Sequence, residues 1–392
     1  MLSALAVFGC GHRPEPPRRP ELTIQLRWIK GYPAETRRNV ETGMDWALSF
    51  LGATLPSVSQ DLYSWHGNVV TLDLDAAGLA PEAAPAWIAL LATLKASDEY
   101  RRVGALDIGR FVTLTLCSSP QYFALTGASP SFAEFQARHP QERKSAAVVE
   151  SGIAKGNRLV EIGPPGRVAD IFFVAFEGTG SIADGSFNKV EIETLDFMPN
   201  GQLRFGLYDL AGHQKPGTTP ELTDAGKPSK CLWCHEINLQ QPYKNVTDLP
   251  GYYSTAEFRN IVRERMNAVR LYRANLKSRV DFSRTNDHTY AELLYLSFAE
   301  PSAARLALEW NEPEAKIRQM LAGSRTHAQR ERPVLGDQLY DRADIDRFAP
   351  YQTIRVPSQL REAGGYDPDL IKQDAAAAAD PGNTVPRAAR GP

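Results

Sequence analysis

The residues KCLWCHE at 230–236 concentrate the reactive chemistry of this chain. Two of its four cysteines stand three positions apart, and one of its seven histidines follows the second directly. On a helical turn, two intervening residues set the sulfurs of Cys231 and Cys234 about one turn apart on the same side. His235 then offers an imidazole whose neutral nitrogen is a metal ligand. Three chemistries use such a set. The thiols can bond the two vinyl groups along one porphyrin edge while the imidazole takes the iron; they can ligate zinc; or they can cycle as a redox dithiol.

The rest of the chain weighs among these. Structural zinc takes four protein ligands, commonly from two such pairs, and the other cysteines, Cys10 and Cys117, are isolated. A thioredoxin-like pair opens a helix after a strand of a βαβ unit, whereas this pair follows a long polar loop, AGHQKPGTTPELTDAGKPSK. The run Cys231-Leu232-Trp233-Cys234-His235 resembles the attachment sequence of the c-type cytochromes. The resemblance covers little beyond the motif. It implies one covalent haem c, with Cys231 and Cys234 as its attachment points and His235 as the proximal iron ligand. Redox dithiol, metal site and inert disulfide stay open as rival readings.

The group opposite His235 separates electron transfer from open-site haem chemistry, because a second strong ligand closes the iron to small molecules. Met266, on an apolar helical stripe, and His213, in the loop before the motif, are candidates for that position, each with a bland alternative as core methionine or solvated histidine. His288, Met198 and Met320 are weaker ones. The arginines at 259, 263, 265, 270 and 273 read as a solvated helix face, from which one or two could pair with haem propionates or guide an acidic partner. Trp233 and Tyr252-Tyr253 could cover a porphyrin edge or serve as ordinary core. The leading expectation is a monohaem electron carrier with a redox partner protein. The alternatives are a peroxidase-like haem enzyme with an open sixth position and a haem-based redox or gas sensor.

These residues need elements to hold them. ELTIQLRWI at 21–29 alternates as a strand, with Leu22, Ile24 and Leu26 on one face, and residues 34–51 carry helical apolar spacing. Residues 82–96 and 106–125 read as mainly helical. From about 146 to 210 the pattern turns to antiparallel β, with IFFVAF as a continuous buried run and Asn200-Gly201 as a tight hairpin turn. EGTGSIADGSFN at 177–188 lacks the endings of a phosphate loop and reads as a hairpin connection. Ser254 to Glu257 forms a capping box ahead of a stripe of Phe258, Val262, Met266 and Val269. Further helices are expected at 287–299, 302–310 and 312–322. The fold class is therefore α+β: a mixed N-terminal region with an antiparallel sheet over 21–210, then a mainly helical haem-bearing segment over 211–330. An irregular extension follows over 331–392, its tail disordered from about 374.

Composition narrows the partners. Forty-six acidic against forty-four basic residues give a formal charge of -2, which argues against a nucleic-acid partner. No apolar run reaches the length of a membrane span. MLSALAVFGC at 1–10 resembles the end of a bacterial lipoprotein signal with Cys10 as the lipidated residue, followed by the proline-rich tether HRPEPPRRPE within segment 1–20. Covalent haem attachment is extracytoplasmic in bacteria, so both features point to a periplasmic or outer-membrane-associated lipoprotein, touching membrane only through that anchor.

Overall fold

The computed structural model describes residues 19–53, 61–140, 143–224, 226–235, 243–330, 332–354 and 384–385. Cys10, the tether to Arg18 and most of the tail from 374 lie outside the described residues. The fold is α+β.

The chain begins with β1 (Thr23–Arg27), α1 (Arg37–Phe50), β2 (Tyr63–His66), β3 (Val69–Asp73), α2 (Ala84–Ala96), α3 (Asp98–Val103) and β4 (Leu106–Asp107). The strands form a sheet of order β2-β3-β1-β4, antiparallel except for the β1–β4 pair. Ile24 and Leu26 are buried, as the alternation requires. Next come α4 (Ile108–Val112), a π-helical turn over Thr113–Cys117, α5 (Ser119–Thr126) and α6 (Phe132–Arg138).

A second sheet holds β5 (Lys144–Ser151), β6 (Arg158–Ile162), β7 (Phe173–Thr179), β8 (Asn188–Phe197) and β9 (Leu203–Asp209). After α7 (Pro228–His235) the chain returns as β10 (Tyr243–Thr247) and pairs with β5, giving the antiparallel order β10-β5-β6-β7-β8-β9. Both faces are covered. Leu159, Val174, Phe176, Ile192 and Tyr208 pack with Phe135 and Phe172 on one side; Val148, Val160, Ile162 and Ala175 pack with Phe258 and Val262 of α8 (Thr255–Ala274) on the other. This explains the uninterrupted hydrophobic run at 171–176, since a strand buried twice has no solvated side. Each large apolar side chain so buried contributes about 1.5–3 kcal/mol.

The β8–β9 hairpin differs from the expected two-residue turn. Met198 N–H donates to Gln202 O at 2.8 Å and Gly201 N–H to Met198 O at 2.9 Å, and Gly201, not Asn200, takes positive φ, at +80°. That is a three-residue loop closed by a left-handed glycine. Asn200 instead turns inward, donating from Nδ2 to Ser49 O at 2.8 Å.

The remaining helices are α9 (Thr289–Ala299), α10 (Ala303–Trp310), α11 (Glu314–Met320) and α12 (Arg342–Ile345), and β11 (Thr353–Ile354) pairs with β12 (Thr384–Val385). Helix α9 packs against α1 and α4 at close range. A Cβ on Gly43 would lie 2.7 Å from Tyr290 O, and one on Gly109 would lie 2.4 Å from Phe298 Cβ. Leu22, Trp46 and Leu106 share one core with Leu293, Phe298 and Leu335, so residues on both sides of position 210 build it together.

Candidate functional site

The motif lies on α7, and local chemistry explains why a helix starts there. Pro228 opens it with the φ a first turn needs and no N–H to leave unpaired, and Cys231 N–H donates to Lys227 O at 3.3 Å. Buried Lys227 also donates from Nζ to Cys117 O at 3.5 Å, tying the start of α7 to the π-helical turn. Leu232, 1% exposed, is the apolar anchor in the main core.

Cys231 and His235 stand four positions apart on α7 and therefore share a face. Cys231 is half-buried. The side chains of Trp233 and Cys234 lie outside the described residues. His235 is half-buried with its ring 5.7 Å from the Phe205 ring on β9. Burial, and then the charge of Arg158, lower its pKa to about 4, so near pH 7 the imidazole is neutral and its nitrogen lone pair is available. Its Nδ1 is fully covered and has no hydrogen-bond partner among the described residues.

Beneath α7 the sheet presents charge. Arg158 on β6 pairs with Glu177 on β7 and reaches Glu193 on β8, with Nη2 3.5 Å from Oε2. Glu191, 2% exposed, accepts from Lys215 Nζ at 2.5 Å and from Thr219 N–H at 2.8 Å. That carboxylate orders the proline- and glycine-rich stretch before the motif. Burial raises the Glu193 carboxyl while Arg158 opposes the rise, and Glu193 Oε1 is a covered atom without a hydrogen-bond partner among the described residues. The general antiparallel pattern read over 146–210 did not reveal this second buried side of β8. Acidic residues alternating with apolar ones look like a solvated face until both faces prove covered.

The candidates for the opposite side of an iron are dispersed. Met266 on α8 is partly buried against the sheet-face cluster that includes Val160 and Ile162, and against the main core. It therefore lies over the sheet face that also carries Phe205 and Glu193. His213 has a side chain 79% exposed, with Nδ1 3.3 Å from Asp209 Oδ2. Asp209 is four residues along β9 from Phe205, about 13 Å by strand rise. His288 is buried edge-on to Trp46, ring centroids 6.1 Å apart. Met198 is buried at the β8–β9 hairpin and Met320 packs with Trp310 and Ile317 in a separate cluster. Tyr252 and Tyr253 divide between the two faces of the sheet. On α8, Arg259, Arg263 and Arg270 are exposed as expected, but Arg265 and Arg273 are buried. Arg273 Nε donates to Gly201 O at 2.8 Å, and burial lowers its pKa to about 10.

The residues described fit the attachment of a porphyrin through this helix. They place the Cys231 sulfur and a neutral imidazole on one face, one turn apart, with a buried ring nitrogen that has no hydrogen-bond partner among them. Among the described residues no group of three or more histidine, cysteine, aspartate or glutamate side chains is arranged to hold a metal ion, and no helix is long and apolar enough to cross a membrane. No protein-family model, no curated protein and no solved structure matches this chain.

Proposed function

We propose that this chain carries one covalently attached haem c and transfers single electrons outside the cytoplasm to or from a redox partner protein. The observation that carries the reading is the CLWCH motif on α7, with Cys231 and His235 on one helical face and the imidazole held neutral by burial. Cys231 and Cys234 would hold the porphyrin edge and His235 the iron. When bound, such a haem supplies a one-electron couple at iron. The chain's own contribution is to hold the imidazole beside Phe205, within reach of the charge of Arg158, and to keep it unprotonated by burial. Met266 favours electron transfer over open-site chemistry, because among the distal candidates it alone packs on the sheet face beside which His235 lies.

The test is maturation in a host with c-type haem attachment machinery, followed by denaturing electrophoresis. Wild type should retain haem through the gel and the Cys231→Ala, Cys234→Ala double variant should not; a wild type that releases all its haem sinks the reading. A reduced spectrum unchanged by carbon monoxide supports carriage. A spectrum that shifts with the gas would support the peroxidase-like or sensor alternatives instead.

A further inference from the structure

Two covered polar atoms lie in one region of the molecule without hydrogen-bond partners among the described residues: Nδ1 of His235 and Oε1 of Glu193. Their positions are bracketed by shared neighbours. The His235 ring lies 5.7 Å from Phe205 and feels the charge of Arg158. Glu193 touches that same arginine, Oε2 to Nη2 at 3.5 Å. In register Glu193 faces Leu207 and Leu195 faces Phe205, so Glu193 is the diagonal neighbour of Phe205 on the sheet face, about 7–8 Å away. Glu193 and the imidazole thus share Arg158 and Phe205 as neighbours.

A histidine that ligates metal through one ring nitrogen donates the other N–H to a carboxylate, carbonyl or water, and that bond raises the basicity of the ligand. The neighbouring carboxylates are already committed: Glu177 to Arg158, and Glu191 to Lys215 and Thr219. We propose that Glu193 is a positioning residue for His235, its free carboxylate oxygen accepting the Nδ1–H once Nε2 is committed to iron. Rotation about the side-chain torsions of Glu193 would close the pair, with Arg158 remaining beside Oε2. The consequence is an electron-rich imidazole that favours the oxidised iron. This inference rests on the haem reading above.

The experiment compares wild type, Glu193→Gln and Glu193→Leu, each matured to the haem-bearing full chain, with Glu161→Gln on the opposite sheet face as control. The midpoint potential and the proton NMR position of the His235 Nδ1–H in the reduced protein are measured. Glu193→Gln should shift the oxidised-to-reduced equilibrium about tenfold toward reduced, a rise of about 59 mV for one electron, with the Nδ1–H resonance moved upfield. Glu193→Leu should move both at least as far, and Glu161→Gln neither. If all variants keep covalent haem and neither Glu193 substitution moves potential or resonance, Glu193 has no such role and the haem reading survives. If wild type carries no covalent haem, both fall together.

Discussion

The cluster of charge beneath α7 has a counterpart around Phe298, and the two are built differently. At Phe298 the guanidinium carbons of Arg110, Arg305 and Arg342 lie 4.7, 5.5 and 4.0 Å from the ring centroid. Arg305 grips Asp107 with 2.9 Å bonds to both carboxylate oxygens, Arg342 meets Glu309 with two bonds of 2.8 Å, and Arg110 lies 2.8 Å from Glu99. Asp346 completes the set, 3.3 Å from Arg342. Burial alone would raise the Glu309 carboxyl, but Arg342 and Arg305 hold it down to about 2. Every carboxylate there has a guanidinium within ion-pair range, and the cluster clasps α3, α4, α10 and α12 together. The cluster under α7 differs in its carboxylates: Glu193 Oε1 is covered and without a hydrogen-bond partner among the described residues, as is His235 Nδ1. In the clasp it is guanidinium nitrogens, Arg110 Nη2 and Arg305 Nε, that are left so, while the carboxylates all face cations.

Removing one carboxylate from each cluster is the strongest way to break this contrast. Glu309→Leu strands two buried guanidinium groups and should cost about 3–5 kcal/mol, whereas Glu193→Leu removes an underused charge while Arg158 keeps Glu177, and should cost about 1 kcal/mol or less. Urea denaturation of the haem-free chain measures both, and equal losses would erase the distinction. Next in size is a pH effect inside the clasp. Four carboxylates face three arginines, and burial, with Asp107 and Glu309 adding to it against Arg110, raises Glu99 to about 7. An unfolded glutamate loses its proton near 4.5, so between these values the folded state binds more protons and stability falls as pH rises. The fall should reach at most about 3 kcal/mol, and Glu99→Gln should flatten it in denaturation curves collected from pH 4.5 to 7.5.

Smaller effects probe the supports of each cluster. Gly109→Ala would drive a Cβ into Phe298 and Leu294 O, loosening the ring on which the three arginines sit. A loss of about 1–3 kcal/mol is expected, read from thermal unfolding. Ser254→Ala removes the cap at the start of α8, where the hydroxyl accepts from Glu257 N–H and the Glu257 carboxylate accepts from Ser254 N–H. It should cost about 1 kcal/mol, with the sheet-face contacts of Met266 and Val262 otherwise intact. A Ser254→Asp variant that restores stability would tie the loss to capping.

Legibility followed the range of the interactions. The capping box at Ser254, the strand alternation of Leu22, Ile24 and Leu26, and the helices α9, α10 and α11 were readable because each is set by residues a few positions apart. The Asn200-Gly201 turn was readable as a hairpin but not as a three-residue loop, since Asn200 is drawn inward by Ser49 O from a distant helix. The clasp was invisible. Arg110, Arg305 and Arg342 have the sequence signature of solvated helical arginines, and their partners are as far as well over two hundred positions away. Glu193 was overlooked for the same reason, because its strand reads as half-solvated until α7 and α8 cover that face.

By itself the sequence determined the spacing of Cys231, Cys234 and His235, because that is set by the chain's covalent order; the helix that presents them begins at Pro228, inside the stretch that read as a loop. Only the tertiary structure decided that this imidazole is covered, neutral and set beside Phe205 within reach of the charge of Arg158. Desolvation and charge pairing depend on which distant elements exclude water from a side chain, and no local pattern encodes that.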